Sequence, residues 1–436
     1  MIAHTFQEAF SAQWIKANLK NLTHDLVLLH RLIPWQPIID RLTPLYPPDQ
    51  GRNGQSLRTT VAVSIVARLR QLSDEKVIEQ VKENRYMQYF CNVPDQGLQT
   101  FMDPSTLCRF RKRLGISGTA IIEAEVFDHL KNAHTIEADM RLQDSTVLES
   151  PIIYPTDVRL LYKAFDKMAI IAKKAGLKPW WDQGEIKKLW RAYHLDGSKP
   201  LAYLCALYLW FEPALETFAA HQRDLPEGPL HTQAHELLEA LLILDEQTQL
   251  KLEGERHIPH RLVSLDDLDA RPIKKGKRHP QTEFGTLLQL SFNRQGFMST
   301  AENFIGKPDD TTLYGPTFEW FQKRMSASPG GAVTDLGYRS AKNLQLHRED
   351  LDFVLMGKST DVDEAHRHEA LKARSATEGF IAVAKHWRGL GRSLYRGLQG
   401  ATLWTRLHQC AYNLKKFLQL YRQEALSDAT LMALRL

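Results

Sequence analysis

Residues 287–305 read LLQLSFNRQGFMSTAENFI, and this stretch decides the fold class. On both sides of it, apolar residues mostly recur at three- and four-residue spacing, which predicts helices. Here the apolar residues alternate with polar ones on either side of NRQG (293–296), a pattern that predicts a β-hairpin. We therefore expect a sheet on which the surrounding helices pack.

Three further strands are predicted around this hairpin, at MRLQDSTVLE (140–149), GGAVTD (330–335) and DFVLMG (352–357). A long stretch with helical periodicity, from about 157 to 253, separates the first of them from the hairpin. With this stretch set aside, the order is strand, strand, strand, helix, strand, helix, strand, helix, helix. The predicted fold class is α/β, a mixed sheet with a helical insertion.

The N-terminal part of the chain is predicted to be all-helical, and DPSTLCRFRKRLG (103–115) ends it with a basic helix. Asp103 is a suitable N-cap, Pro104 fits the first helical position, and Gly115 is expected to end the helix. A basic helix after a helix and a turn is the layout of a helix-turn-helix DNA reader, although an ordinary basic surface helix fits equally well. The basic residues are Arg109, Arg111, Lys112 and Arg113.

The composition is that of an ordinary globular protein, with 436 residues, 43% hydrophobic and 25% charged. The four cysteines are far apart and form no CxxC pair, so neither a disulfide framework nor a zinc site is expected. No secretory signal pattern is recognised, and the longest apolar run, 201–211, is too short to span a bilayer. We expect a cytoplasmic protein without a membrane partner.

Positive charge is concentrated near the C-terminus. Residues 379–423 contain eight Lys and Arg and no acid, so the remainder of the chain carries a net −3 against the total of +5. A mildly acidic body with one basic region indicates a polyanionic partner, although a solvated basic face is the alternative. A second basic cluster, RPIKKGKRH (271–279), is either a phosphate-binding segment or a solvated loop.

One acid, Glu378, lies in the otherwise basic stretch RSATEGFIAVAK (374–385). On an α-helix, Arg374, Glu378 and Lys385 would share one narrow stripe. A surface Arg–Glu pair is the simpler explanation. Asp144 in the first strand and Asp335 after the fourth could converge with Glu378, and three carboxylates brought together require a cation such as Mg²⁺.

These residues resemble the bacterial insertion-sequence DDE transposases. QDSTVLESPIIYPTD (143–157) is similar to the strand of that family's first aspartate, and TDLGYRSAKN (334–343) to the block of its second. Arg374, Glu378 and Lys385 match three positions of the signature Tyr-x2-Arg-x3-Glu-x6-Lys. Leu371 stands at the position of the tyrosine in this signature, so this chain lacks the tyrosine hydroxyl and no role is expected for it.

The resemblance implies a ribonuclease H-like catalytic core (121–436, with a helical insertion at 157–255) after an N-terminal DNA-binding domain (1–120). It implies that Asp144, Asp335 and Glu378 bind two Mg²⁺ ions, for which Mn²⁺ can substitute. The implied reaction is strand cleavage at the transposon ends, followed by joining of the 3′-hydroxyls to target DNA. The expected partner is double-stranded DNA, and the expected form of the protein is a nucleoid-associated homodimer. The expected DNA-binding residues are Arg374, Lys385, Arg392, Arg396, Arg109, Arg111, Lys112, Arg113, Lys275 and Lys277.

Two other functions stay open at this point: a catalytically silent DNA-binding protein derived from a transposase, and an unrelated metal-dependent nuclease. Asp157 is expected to cap the first helix of the insertion, and Glu283 is a further candidate acid. His257 and His260 have metal-like spacing without further ligands nearby, which favours a structural role.

Overall fold

The structure is a computed structural model that describes residues 12–46, 55–93, 101–133, 135–276, 281–346, 348–357 and 362–423. The chain divides into two compact units. The first contains the chain up to Leu148, Leu287–Tyr395 and the part from Gln399 onward. The second contains Glu149–Thr286 and Arg396–Leu398.

The N-terminal part of the first unit is helical, as the sequence predicts. Asp103 accepts a hydrogen bond from the Ser105 backbone N–H, which confirms the predicted N-cap, and Ser73 caps α5 in the same way through the Lys76 N–H. The helices are α1 (Ala12–Asn18), α2 (Asp25–Leu32), α3 (Trp35–Leu42), α4 (Leu57–Arg70), α5 (Asp74–Glu83), α6 (Arg85–Cys91) and α7 (Pro104–Asn132).

The basic helix is interrupted at Gly115, the residue at which the sequence predicts its end. Gly115 leaves the helical conformation (φ 58°, ψ −168°), but the chain resumes the helix immediately and continues to Asn132. The break is real because a positive φ suits glycine, yet the apolar residues that follow, such as Ile122 and Val126, are buried in the core and sustain a second helical segment. Residue 120, the predicted domain boundary, lies within this helix, and the division into domains stays a prediction.

The sheet of the first unit contains five strands: β1 (Met140–Glu149), β3 (Glu283–Phe292), β4 (Met298–Ile305), β5 (Gly331–Thr334) and β6 (Phe353–Met356). Strands β3 and β4 are antiparallel, whereas β1, β5 and β6 are parallel neighbours. The order across the sheet runs β4, β3, β1, β5, β6. The predicted α/β class and the predicted order of elements are confirmed.

The hairpin that decided the fold class has the predicted turn. Gly296 adopts φ +86° and donates its N–H to the Asn293 carbonyl at 3.0 Å. A Cβ at Gly296 would stand 2.7 Å from the Phe380 ring, so the absence of a side chain lets this turn pack against a C-terminal helix. The hairpin thereby helps to fix the position of that helix.

Four further helices complete the first unit. Helix α12 (Asp310–Met325) follows β4, α13 (Ala341–Gln345) follows β5, and α14 (Glu364–Ala382) follows β6. Helix α14 continues into one π-helical turn, Val383–Trp387, before α15 (Gly397–Arg422). Ala370 and Ala373 of α14 belong to the same apolar core as Leu142 of β1 and Leu355 of β6, which holds α14 against the sheet.

The second unit contains the helices α8 (Asp157–Lys174), α9 (Gln183–Leu195), α10 (Pro200–Asp224) and α11 (Pro229–Leu252), with their own apolar core. Trp181 is part of that core, and the Trp180 indole packs against it and donates to the Ala214 carbonyl at 2.9 Å. A short strand, β2 (Arg271–Ile273), pairs with the first residues of β3.

The predicted cap of α8 is wrong by one residue. Thr156 is the N-cap and accepts a hydrogen bond from the Arg159 N–H, while Asp157 is the first helical residue. Asp157 instead pairs with Arg261 at 2.5 Å. In the parts of the chain that the structure describes, no helix is both long and apolar enough to cross a bilayer.

Candidate active site

The three acids predicted to act together line one cleft in the first unit. Asp144 comes from the middle of β1, Asp335 directly follows β5, and Glu378 lies in α14. The cleft has a volume of about 240 Å³, open solvent at its mouth included. Its remaining lining residues are Gln143, Val333, Thr334, Arg374 and Thr377.

The register of the sheet places the two aspartates at the same level. Strands β1 and β5 are parallel, and Gln143 is the partner of Thr334 across them. The next residue on each strand is an aspartate, and neighbouring strands are about 4.8 Å apart. Helix α14 then brings Glu378 to the same place from the other end of the chain, because its apolar face packs on the sheet.

Backbone N–H groups orient both aspartates. The Ser145 N–H donates to Asp144 Oδ1 at 2.6 Å, and the Gly337 N–H donates to Asp335 Oδ1 at 2.9 Å. The second bond makes Asp335 the cap of a 3₁₀ turn, Leu336–Tyr338. These bonds fix each carboxylate relative to its strand, which is a form of preorganisation for ligand binding.

Tyr338 lies behind the cleft as a buried, neutral phenol that donates to Gln289 Oε1 at 2.9 Å. Burial raises the pKa of Tyr338 well above its ordinary value, and the negative charges of Asp144 and Asp310 raise it further.

Arg374 lines the same cleft as the three acids, one turn before Glu378 on α14. Its Nε is buried without a hydrogen-bond partner among the described residues. A guanidinium with an unused donor at an acidic cleft is suited to an additional anion such as a phosphate. The predicted role of Arg374 in phosphate binding thus has a position that fits it.

Lys385 lies beyond the end of the α-helix that carries Arg374 and Glu378. The α-helix ends at Ala382, and Lys385 lies on the π-helical turn, where each residue advances by a smaller angle than in an α-helix. Lys385 is half-buried and is not among the lining residues of the cleft. Arg392 is exposed in the first unit, and Arg396 is exposed in the second.

The four basic residues of α7 that were predicted to bind DNA fall into two groups. Arg109, Lys112 and Arg113 are exposed, as a DNA-binding surface requires. Arg111 is only 13% exposed and holds Asp74 with two hydrogen bonds, at 2.9 and 2.6 Å. Its guanidinium also lies 4.5 Å from the centre of the Tyr395 ring, so this position favours a structural role over the predicted DNA contact.

The remaining candidates lie in the second unit or outside the described residues. Lys275 belongs to the second unit, and Lys277 is outside the described residues. Glu283 is 6% exposed, pairs with Ile273 across β2 and β3, and does not line the cleft.

The chemistry of the cleft suits a hard cation. Its potential ligands are carboxylate oxygens, which Mg²⁺ and Mn²⁺ prefer, and carboxylates of one site repel each other unless a cation neutralises them. Within the described residues, however, no three His, Cys, Asp or Glu side chains are close enough to hold a metal ion as they stand. A cation would therefore have to draw these side chains inward or reach some of them through water.

Asp310 is an acid near this site that the sequence analysis did not select. It is the first residue of α12, and its carboxylate accepts from Ser145 Oγ at 3.2 Å. The sequence offered only one signal, two consecutive aspartates before a helix, which is equally typical of a cap. Asp309 is the N-cap of α12, so the carboxylate of Asp310 is not used for capping.

The chain was also compared with known proteins. Residues 15–113 match the family model described as "Transposase domain (DUF772)". The chain is 33% identical over 159 residues to a Rhizobium meliloti protein named "Uncharacterized protein ORF8 in nfe locus". The aligned part covers 35% of this chain and 75% of that relative. No solved structure matches the chain.

Proposed function

The chain belongs to the transposase family whose domain its N-terminal helices match, and from this premise we propose that it is a DDE transposase of an insertion sequence. It would cleave the phosphodiester bonds at the ends of its element and join the freed 3′-hydroxyls to target DNA. The observation that carries the proposal is the meeting of Asp144, Asp335 and Glu378 in one cleft, although they are separated by 191 and 43 positions in the chain.

The sheet supports a ribonuclease H-like class for the catalytic core. Without the short strand β2, the order across the sheet is β4, β3, β1, β5, β6, which corresponds to 3-2-1-4-5 when these five strands are counted along the chain. Strands β5 and β6 are parallel to β1. In this arrangement the carboxyl ends of the central parallel strands point to one edge, where ligands of α/β sheets are commonly bound. Asp335 follows one of those ends, and Asp144 lies beside it.

The residues of the cleft have separate tasks in this proposal. Divalent cations held by the three carboxylates would activate water and stabilise the leaving oxygen. Asp144 and Asp335 are oriented by backbone N–H groups, and Glu378 approaches from a helix. Arg374 would hold the phosphate of the reacting strand through its unused donor, which positions the phosphorus against the attacking oxygen.

The proposal is tested with the intact protein and a DNA duplex that carries the terminal repeats flanking its gene. We expect nicks at the repeat ends that expose 3′-hydroxyls, with Mg²⁺ or Mn²⁺ and not with a chelator. Binding of the repeats without any nick would identify a silent DNA-binding protein. Nicks that ignore the repeats would identify a nuclease.

The exposed cations of α7 give a separate prediction about DNA binding. Replacing both Arg109 and Lys112 by Gln should weaken binding and lower the slope of log K against log salt by about two, because each neutralised phosphate contributes roughly 0.9. Fluorescence anisotropy over a range of salt concentrations measures this slope.

Arg111→Gln is the matched control for this experiment. It removes an equal charge from the same helix, but Arg111 is bound to Asp74. We expect it to lower the stability of the protein and to leave the salt slope unchanged. A slope that changes with Arg111→Gln and not with the double variant would contradict the proposed interface.

A further inference from the structure

Asp310 is connected to Asp144 through a single residue. The backbone N–H of Ser145 donates to Asp144 Oδ1 at 2.6 Å, while the hydroxyl of the same residue donates to Asp310 Oδ1 at 3.2 Å. Ser145 is buried and both bonds are partly shielded from solvent, so water competes less for them than at an open surface. The first residue of α12 is thereby bound to the strand that carries Asp144.

Asp310 is also close to Asp335. The two carboxylates flank Gly337: a Cβ built there would lie 3.0 Å from Asp310 Oδ2 and 3.2 Å from Asp335 Oδ1. These two oxygens are thus within about 6 Å of each other, a distance at which charges interact appreciably near a protein surface. A side chain at position 337 would separate them, which explains why this position has a glycine.

An unsatisfied amide on the same strand indicates that this region takes a ligand or ordered water. Gln143 is 1% exposed and lines the cleft, and neither its amide oxygen nor its amide nitrogen has a partner among the described residues. It lies two residues before Ser145, hence on the same face of β1. The side chain of Asp144 points to the other face of the strand. Buried polar atoms are almost always paired, so the Gln143 amide calls for a partner such as ordered water on the Ser145 face.

We infer that Asp310 is a fourth carboxylate of the cation site, a positioning residue that raises the affinity for divalent cations and holds the carboxylates of Asp144 and Asp335 in place. This inference rests on the proposed function, because it assigns a further residue to the same site. The negative charge of Asp310 adds to the attraction for a cation. The hydrogen bond between Asp310 and Ser145 restrains β1 next to Asp144. Groups that support metal ligands in this way typically account for a tenfold or greater part of metal affinity.

The test is a titration of the full chain with Mn²⁺ alone, without DNA, followed by electron paramagnetic resonance. Asp310→Asn keeps the shape of the side chain and should raise the Kd for Mn²⁺ about tenfold. Asp309→Asn is the matched control, since it removes the same charge one residue earlier, from an exposed cap that an asparagine also serves. We expect its Kd to equal that of the unchanged protein.

Ser145→Ala is the second variant, and it leaves all carboxylates in place. By releasing Asp310 it should weaken Mn²⁺ binding by a smaller factor than Asp310→Asn. If Asp310→Asn, folded by circular dichroism, and Ser145→Ala both bind Mn²⁺ as tightly as Asp309→Asn, Asp310 has no part in the site. In that case weaker binding by Asp335→Asn would leave the proposed function intact. Equal binding by Asp335→Asn as well would overturn the proposed function too.

Discussion

Replacing Glu378 by Gln should reduce Mg²⁺-dependent strand cleavage by roughly a thousandfold or more while leaving the protein folded and able to bind its DNA ends. The change keeps the size of the side chain and removes the charge that a cation needs. The electrostatic contribution of a catalytic metal is worth several kcal/mol, and each 1.4 kcal/mol corresponds to a factor of ten in rate. Single-turnover cleavage of a labelled end duplex measures the loss.

Glu364→Gln provides the matched control on the same helix. Glu364 is exposed in the first turn of α14, far along the helix from the cleft. Its replacement should leave cleavage and end binding unchanged. If Glu378→Gln cleaves at the normal rate, or if it loses end binding to the same extent as cleavage, Glu378 does not serve as a catalytic carboxylate.

The second large effect concerns stability, at the buried ion pair between Glu123 of α7 and Arg324 of α12. The two side chains are 10% and 17% exposed and are joined at 2.6 Å. Burial raises the pKa of Glu123 even though Arg324 opposes that shift, so the ionised pair exists at a desolvation cost. Glu123→Leu should lower the free energy of unfolding by about 3–5 kcal/mol, because it leaves a buried guanidinium without a counter-charge. Urea denaturation followed by circular dichroism measures this.

The double variant Glu123→Leu with Arg324→Met tests the cause of that loss. It removes both charges and fills the space with apolar groups, which is often neutral or stabilising. We expect it to recover most of the stability, although Arg324 also lies 4.3 Å from the centre of the Phe127 ring and that contact is lost. A double variant as unstable as Glu123→Leu would show that packing, and not the uncompensated charge, dominates.

The sequence allowed the elements to be recognised wherever a local pattern was strong. The alternation around NRQG predicted the hairpin, and the predicted cap at Asp103 was correct, because each depends on residues within a few positions of one another. The break at Gly115 was predicted as well, but the second helical segment that follows it was not, because that segment depends on core contacts of Ile122 and Val126 that no local signal reports.

Charged residues were harder to interpret than apolar ones. Arg109 and Arg111 are two positions apart in the same helix, yet one is exposed and the other is bound to Asp74 of α5. Lys385 has the spacing expected for the stripe of Glu378, but a π-helical turn shifts it. The spacing that made Arg111 and Lys385 candidates reports neither the partner Asp74 nor the π-helical turn.

Local patterns in the sequence predicted the types of the elements, their order, and three acids whose sequence context resembles that of the DDE transposases. Hydrophobic periodicity and capping act over a few residues, so they can be read directly from the chain. The tertiary structure was needed to show that these acids line one cleft, that Asp310 lies near Asp335, and that Arg111 is bound to Asp74. Those outcomes depend on strand register and helix packing between residues far apart in the chain, and the physical forces that set them act between side chains that become neighbours only on folding.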